Sequence, residues 1–126
     1  MANIDRILIV EDNRDAQEGL YALLSREGYS VLTADNGQQA MDLMEGGLQP
    51  RLLIADLGMP KVTGTDLLKY MQSDPVLRLT RVIVVTARSP EDVHVVADVV
   101  LYKPIDVPLL LSTVAGLMGP PAPNLG

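Results

Sequence analysis

Short runs of consecutive apolar residues alternate along this chain with stretches whose apolar positions recur every three or four residues. The unbroken runs fall at 7–10, 52–55 and 82–85, with shorter or mixed ones at 31–34 and 99–102. Continuous apolar runs of this length suit strands buried on both faces, as in a parallel sheet. The third of the five strands is placed at 51–55. Between the strands the spacing turns helical. Asn13 caps a helix carrying Ala16, Leu20, Leu23 and Leu24, which Gly28 stops. Asn36 caps one carrying Ala40, Met41, Leu43 and Met44, ended by Gly46-Gly47. Gly64 opens one carrying Leu67, Leu68 and Met71, closed near Asp74-Pro75. Asp106 caps a last one with Leu109, Leu110, Val114 and Leu117. Strands alternating with helices predict an α/β fold, a doubly wound five-stranded parallel sheet with right-handed crossovers.

The polar residues that end these strands change the picture. Four of the five strands stop on groups with chemistry: Glu11 and Asp12, Asp56, Thr86 and Lys103. In a parallel sheet those ends share one edge, where open α/β sheets place their ligands. The carboxylate of Asp56 follows four buried-type residues abruptly, and Gly58 and Pro60 break the strand just behind it. Each residue alone reads equally well as an ordinary loop residue, Asp56 as a turn cap. Five on one edge predict a pocket.

Composition narrows what the pocket can be. The chain has 126 residues, enough for one domain with a real core, and no cysteine, which excludes disulfides, thiolate metal sites and cysteine nucleophiles. Its single histidine, His94, rules out a multi-histidine zinc site, and beside a valine run it reads as a surface residue. Net charge is −6 with no basic cluster, which argues against direct nucleic-acid binding. No apolar run approaches the ~20 residues of a membrane span. The opening residues lack a signal-peptide pattern, so the expected location is cytoplasmic. Only 119–126 looks like a Pro/Gly-rich tail or linker.

Three carboxylates in one pocket repel one another and call for a cation or raised pKa values. Oxygen ligands alone suit a hard divalent ion, Mg²⁺ best. A carboxylate in such a site can act as a nucleophile towards phosphorus. Lys103 then offers positive charge and Thr86 a hydroxyl for the phosphoryl oxygens.

Together, Ile9-Val10-Glu11-Asp12-Asn13, Asp56-Leu57-Gly58-Met59-Pro60 with Gly64 after it, Val84-Val85-Thr86-Ala87 and Leu101-Tyr102-Lys103-Pro104 resemble the receiver domains of two-component response regulators, of the chemotaxis-receiver type. The resemblance runs from Ile4 to about Met118, so residues 1–118 would form one receiver domain. It implies a flavodoxin-like fold, Asp56 as phosphoacceptor, and Mg²⁺ held by Glu11, Asp12, Asp56 and the Gly58 backbone carbonyl. It further implies Thr86 as switch hydroxyl, Lys103 as phosphate-pairing base, and a cis Lys103-Pro104 bond. The donor would be a phosphohistidine on a sensor histidine kinase or histidine phosphotransfer protein, and the reader a downstream output protein or domain. Such a chain is no ordinary enzyme, but catalyses its own phosphorylation and dephosphorylation at Asp56.

Two departures stand out. Thr86 and Lys103 are 17 positions apart, about five fewer than is usual in that family and more than one helical turn of 3.6 residues. The loss falls on the fourth helix. There Ser89, Pro90, Glu91 and Asp92 suit a helix start, while Val93, Val95 and Val96 work against its continuation. At most two turns are expected, or irregular backbone. The family's aromatic switch position is occupied by Val100. Tyr102, two residues on and on the same face, either stands in for it or merely packs at the sheet edge. Two rival functions remain. A pseudo-receiver, binding partners without phosphorylation, would normally lack pocket residues, and here all five are present. A phosphatase working through an aspartyl intermediate would want an acid at position 58, which is glycine.

Overall fold

The computed structural model describes residues 6–58 and 63–119. The motif residues Met59 and Pro60, the first five residues and the tail from Pro120 lie outside that range. In chain order the elements are β1 (Arg6–Val10), α1 (Arg14–Arg26), β2 (Ser30–Ala34), α2 (Gly37–Glu45), β3 (Leu52–Asp56), α3 (Gly64–Gln72), β4 (Arg81–Thr86), β5 (Val99–Tyr102) and α4 (Val107–Met118). Single 3-10 turns sit at Leu77–Leu79 and Pro90–Asp92. All strand pairs are parallel and the order is β2-β1-β3-β4-β5.

Period-two alternation divides the sheet into two apolar faces. Leu8, Val10, Leu53, Ala55, Val82 and Val84 pack on one side with Ala40 and Met44 of α2 and Leu67, Leu68 and Met71 of α3. Ile7, Ile9, Leu52, Ile54, Ile83 and Val85 pack on the other with Leu20 and Leu24 of α1 and Leu110, Val114 and Met118 of α4. The central strands β1, β3 and β4 are buried almost throughout, which is why the sequence writes them without alternation.

The expected caps form. Asn13, Asn36 and Asp106 each accept from the backbone amide three residues on, an arrangement worth about 1 kcal/mol per helix. Gly28, at φ 98°, follows the end of α1 in the left-handed region where glycine is preferred. A capping box between Thr63 and Asp66 starts α3 and was not anticipated. The last helix also differs in detail: Leu109 is half exposed, and Leu110, Val114 and Met118 form its buried face.

The fourth crossover has no α-helix. After the one 3-10 turn, where Ser89 makes no side-chain cap, the chain runs on with a period of two. Val93, Val95 and Ala97 turn inward against the α2/α3 side of the core, while His94 and Val96 turn outward. The β-branched residues that oppose a helix here favour extended backbone. Among the described residues the amides of 94–97 donate no hydrogen bond; the segment is tied by Asp92, Val93 and Asp98. Hydrogen-exchange mass spectrometry should therefore find 89–98 exchanging fastest between Arg6 and Gly119 outside the loop after Asp56. Protection there equal to that of β4 would mean a rigid scaffold instead.

Candidate functional site

The site lies where the winding reverses. From β1 the chain passes to β2 on one side, then returns to β3 on the other, leaving a crevice at the carboxyl ends of β1 and β3. Glu11 and Asp12 follow β1 and Asp56 ends β3. One carboxylate oxygen from each lies within 4.8 Å of the others. Lys103, just beyond β5, reaches across β4 to place Nζ 3.1 Å from Asp56 Oδ2 and 3.3 Å from Glu11 Oε1. The remaining oxygens are also held. Asp56 Oδ1 accepts from the Gly58 amide at 2.9 Å and Glu11 Oε2 from the Asn13 amide at 3.2 Å. Asp56 therefore is a turn-capping residue and a pocket residue at once.

Thr86 closes β4 and is buried. Its Oγ1 accepts from the Arg88 amide at 3.0 Å, and its carbonyl accepts from the Lys103 amide at 2.8 Å. The threonine hydroxyl thus keeps its own proton available as a donor. The Lys103-Pro104 bond is cis. Val100 points into the α2/α3 side of the core. Tyr102 lies directly opposite Thr86 in the β4–β5 register and is 40% exposed, beyond the cover of the helices. His94 is exposed, as expected, and borders the flank of α3 beside Leu68 and Lys69.

The electrostatics follow from burial and proximity. Burial raises the Glu11 carboxyl above its ordinary range, and the charge of Asp56 and a hydrogen bond with Asp12 add to this. The Asn13 amide and Lys103 only partly offset them. For Lys103, burial works against the charge, but the hydrogen bonds and charges of Asp56 and Glu11 prevail and hold the ammonium above its ordinary value. Because that value is raised, the contribution of the Lys103 charge is present at neutral pH and is lost as pH climbs through it, while at the acid end the pair with Glu11 is lost as that carboxylate takes up its proton. One lysine facing three carboxylates leaves the pocket short of positive charge. The donor set is all oxygen, so it fits a hard divalent cation such as Mg²⁺.

One supporting residue, Gln17, escaped the sequence reading, and Gly64, named there as a motif residue and helix opener, has a further role. Gln17 is buried, and its side-chain amide donates to the carbonyls of Glu11 and Ala34 at 3.1 Å and to Asp35 Oδ1 at 2.9 Å. It ties the carboxyl ends of β1 and β2 together beneath the acids. Its spacing with Leu20 and Leu24 was the available signal. Gly64 is required by close approach: a Cβ there would lie 2.5 Å from the Asp56 carbonyl oxygen and 2.9 Å from Leu57 Cα. Helix α3 thus presses directly on the backbone that carries Asp56.

Comparison with known proteins agrees with this geometry. Residues 7–115 match the family model for the response regulator receiver domain. The transcriptional regulatory protein CpxR of Escherichia coli K12 is 34% identical over 120 residues, 91% of this chain and 50% of the relative. The chain thus spans half the length of that relative. The polar-differentiation response regulator DivK of Brucella anthropi is 30% identical over 118 residues, 90% of this chain and 95% of the relative. Among solved structures, the signal receiver domain of a signal transduction histidine kinase from Syntrophus aciditrophicus superposes with a TM-score of 0.84 at 34% identity, covering 90% of this chain and 89% of the other. The chemotaxis response regulator CheY4 of Vibrio cholerae gives 0.83 at 26%, covering 90% and 98%.

Proposed function

The chain belongs to the receiver domains of two-component response regulators, whose general function is phosphorylation-dependent signalling, and on that premise we propose that Asp56 is its phosphoacceptor. The observation that carries this is the convergence of Glu11, Asp12 and Lys103 on the Asp56 carboxylate at the winding reversal. An Asp56 oxygen attacks the phosphorus of a phosphohistidine. The new P–O bond forms as the P–N bond breaks, and the electron pair returns to the imidazole. Lys103 Nζ, already beside Asp56, balances charge on the incoming oxygens. The Thr86 hydroxyl turns from its place against the Arg88 amide to donate to them. Hydrolysis of the acyl phosphate resets the domain.

Glu11, Asp12, Asp56 and the Gly58 carbonyl would hold Mg²⁺. When bound, the ion screens the carboxylates from one another and offsets charge on the transferred group. Movement at Thr86 is felt at Tyr102, its register partner, which makes Tyr102 the aromatic reporter of the switch and leaves Val100 to the core. Residues 1–118 act as one unit and 119–126 as a tail or linker. The phosphate comes from a sensor histidine kinase or a histidine phosphotransfer protein, and an output protein or domain reads it. No helix among the described residues is long and apolar enough to cross a membrane, in keeping with a cytoplasmic place of action. No observation favours a pseudo-receiver.

Incubation with Mg²⁺ and a small phosphodonor, followed by intact mass, tests the proposal: one phosphoryl adduct per chain is expected, and none would overturn it. The metal has its own test. Mg²⁺ in hundredfold excess over its Kd should stabilise the fold by about 2.7 kcal/mol at neutral pH. The gain should shrink as pH falls through the raised Glu11 value, because the ligands must be ionised to bind. It should vanish in Asp12→Ala. Calorimetry showing an equal gain at pH near 5 and 7.5, or in the variant, would remove the acids from the metal site.

A further inference from the structure

Three of the four crossovers between strands carry helices, of 13, 9 and 9 residues, and the fourth carries none. A parallel sheet needs cover on both faces. On the α2/α3 side the fourth crossover contributes the inward side chains of Val93, Val95 and Ala97 to the cover in place of a helix. A hollow of about 440 Å³ is left beside α3, lined by Leu68, Lys69, Gln72, His94, Val95 and Val96. Past Gln72 and Val96 it continues into a second of about 400 Å³, bordered by Arg78, Leu79, Arg81 and Asp98. Val96 and Leu79 are each 75% exposed, so the trough offers apolar surface to solvent.

We propose that this trough binds an acidic amphipathic helix contributed by a partner protein. Charge decides the sign of the partner. The rim presents Lys69, Arg78 and Arg81 beside His94, in a chain whose net charge is −6. Asp98 is already engaged, by Arg81 at 3.1 Å and the Val82 amide at 2.7 Å. Among the described residues Lys69 and Arg78 have no carboxylate partner, so glutamates or aspartates flanking an apolar stripe would meet two open cations. Geometry decides the shape. The hollow lies between the flank of α3 and the extended residues 94–96, with no residue of β2 or β5 among the described residues that line it. Its long wall, Thr65 to Gln72 of α3, is about 10 Å of helix, and a second helix packs beside the first at about 8–10 Å between axes. Apolar anchors at helical spacing fill such grooves. The inference concerns a surface away from Asp56 and stands whether or not Asp56 is the phosphoacceptor.

The test uses three synthetic amphipathic helices sharing one leucine stripe and flanked by Glu, Gln or Lys, titrated into ¹⁵N-labelled full chain. The Glu-flanked peptide should bind tightest and shift resonances of residues 68–73 and 94–98. Val96→Glu, at an exposed position where folding is checked by an unchanged melting curve, should weaken it about tenfold. Lys69→Glu with Arg78→Glu should reverse the preference towards the Lys-flanked peptide. Equal binding of all three peptides, shifts centred on another surface, or no binding would overturn the proposal. So would sedimentation showing a dimer that Val96→Glu dissociates, since the occupant would then be a second copy.

Discussion

Asp56→Asn should take up no phosphoryl group from a small donor in the presence of Mg²⁺. The substitution keeps the shape of the side chain and removes its nucleophilic oxygen anion. Folding should survive, because Lys103 retains Glu11 at 3.3 Å and the Gly58 amide retains an oxygen acceptor. The acid-stable, base-labile adduct seen by intact mass on the parent should fall to background. The neighbouring acids make this a sharp test, since Glu11 and Asp12 lie in the same pocket. Glu11 is also paired with Lys103 and held by a turn amide, but Asp56 ends the central strand β3 and its side chain is the more open of the two to an incoming donor, 13% exposed against 5%. If the variant still labels at full stoichiometry, one of the other two acids is the acceptor and the assignment of roles is wrong.

Gly64→Ala should damage the site from outside it. The added methyl would stand 2.5 Å from the Asp56 carbonyl oxygen and 2.9 Å from Leu57 Cα, and both neighbours are backbone. Either the start of α3 or the loop carrying Asp56 must move. Forced repacking of this kind costs about 1–3 kcal/mol. The gain in helix propensity of at most about 1 kcal/mol applies to helix interiors and offsets little at the first position of α3. A fall in Tm of several degrees is expected, together with slower phosphorylation, because Asp56 is displaced from Lys103. Thermal melts and labelling rates check both. An unchanged Tm with unchanged labelling would show that the contact has slack. Unchanged Tm with slow labelling would place the whole cost on the geometry of the loop.

Much of this molecule was legible before any coordinates. Buried parallel strands announce themselves as continuous apolar runs, and a ligand-binding edge announces itself where each run stops on a polar group. Glu11, Asp12, Asp56 and Lys103 were found that way, and they do converge. Asn13, Asn36 and Asp106 were legible because capping is local. What escaped depends on the third dimension. The contact between Gly64 and the Asp56 backbone joins segments whose approach no spacing records. Gln17 was hidden by its polarity, though it sits on the buried stripe of α1 with Leu20 and Leu24. The fourth crossover was read as a weak helix or irregular backbone. Its alternation was masked because Val96, an apolar residue, occupies an outward position between Val95 and Ala97. Leu109 misled for the related reason that α4 contains no charged residue to mark its solvent face.

The bare crossover also makes the chain unusually easy to open by engineering. Among the described residues, 94–97 contribute no amide hydrogen bonds, so an insertion after Val96 unpairs no strand. Its two ends lead back to Thr86 and forward to Lys103, neighbours at the ends of β4 and β5, where the Lys103 amide donates to the Thr86 carbonyl at 2.8 Å. A circularly permuted fluorescent protein spliced there would be joined to both of these pocket residues and report the pocket's state as brightness. One fused beyond Gly119 would leave beside Tyr29, whose hydroxyl donates to the Gly119 carbonyl at the amino edge of the sheet. That exit is a strand length, about 17 Å, from the carboxylates, and a reporter placed there would register little of what happens to them.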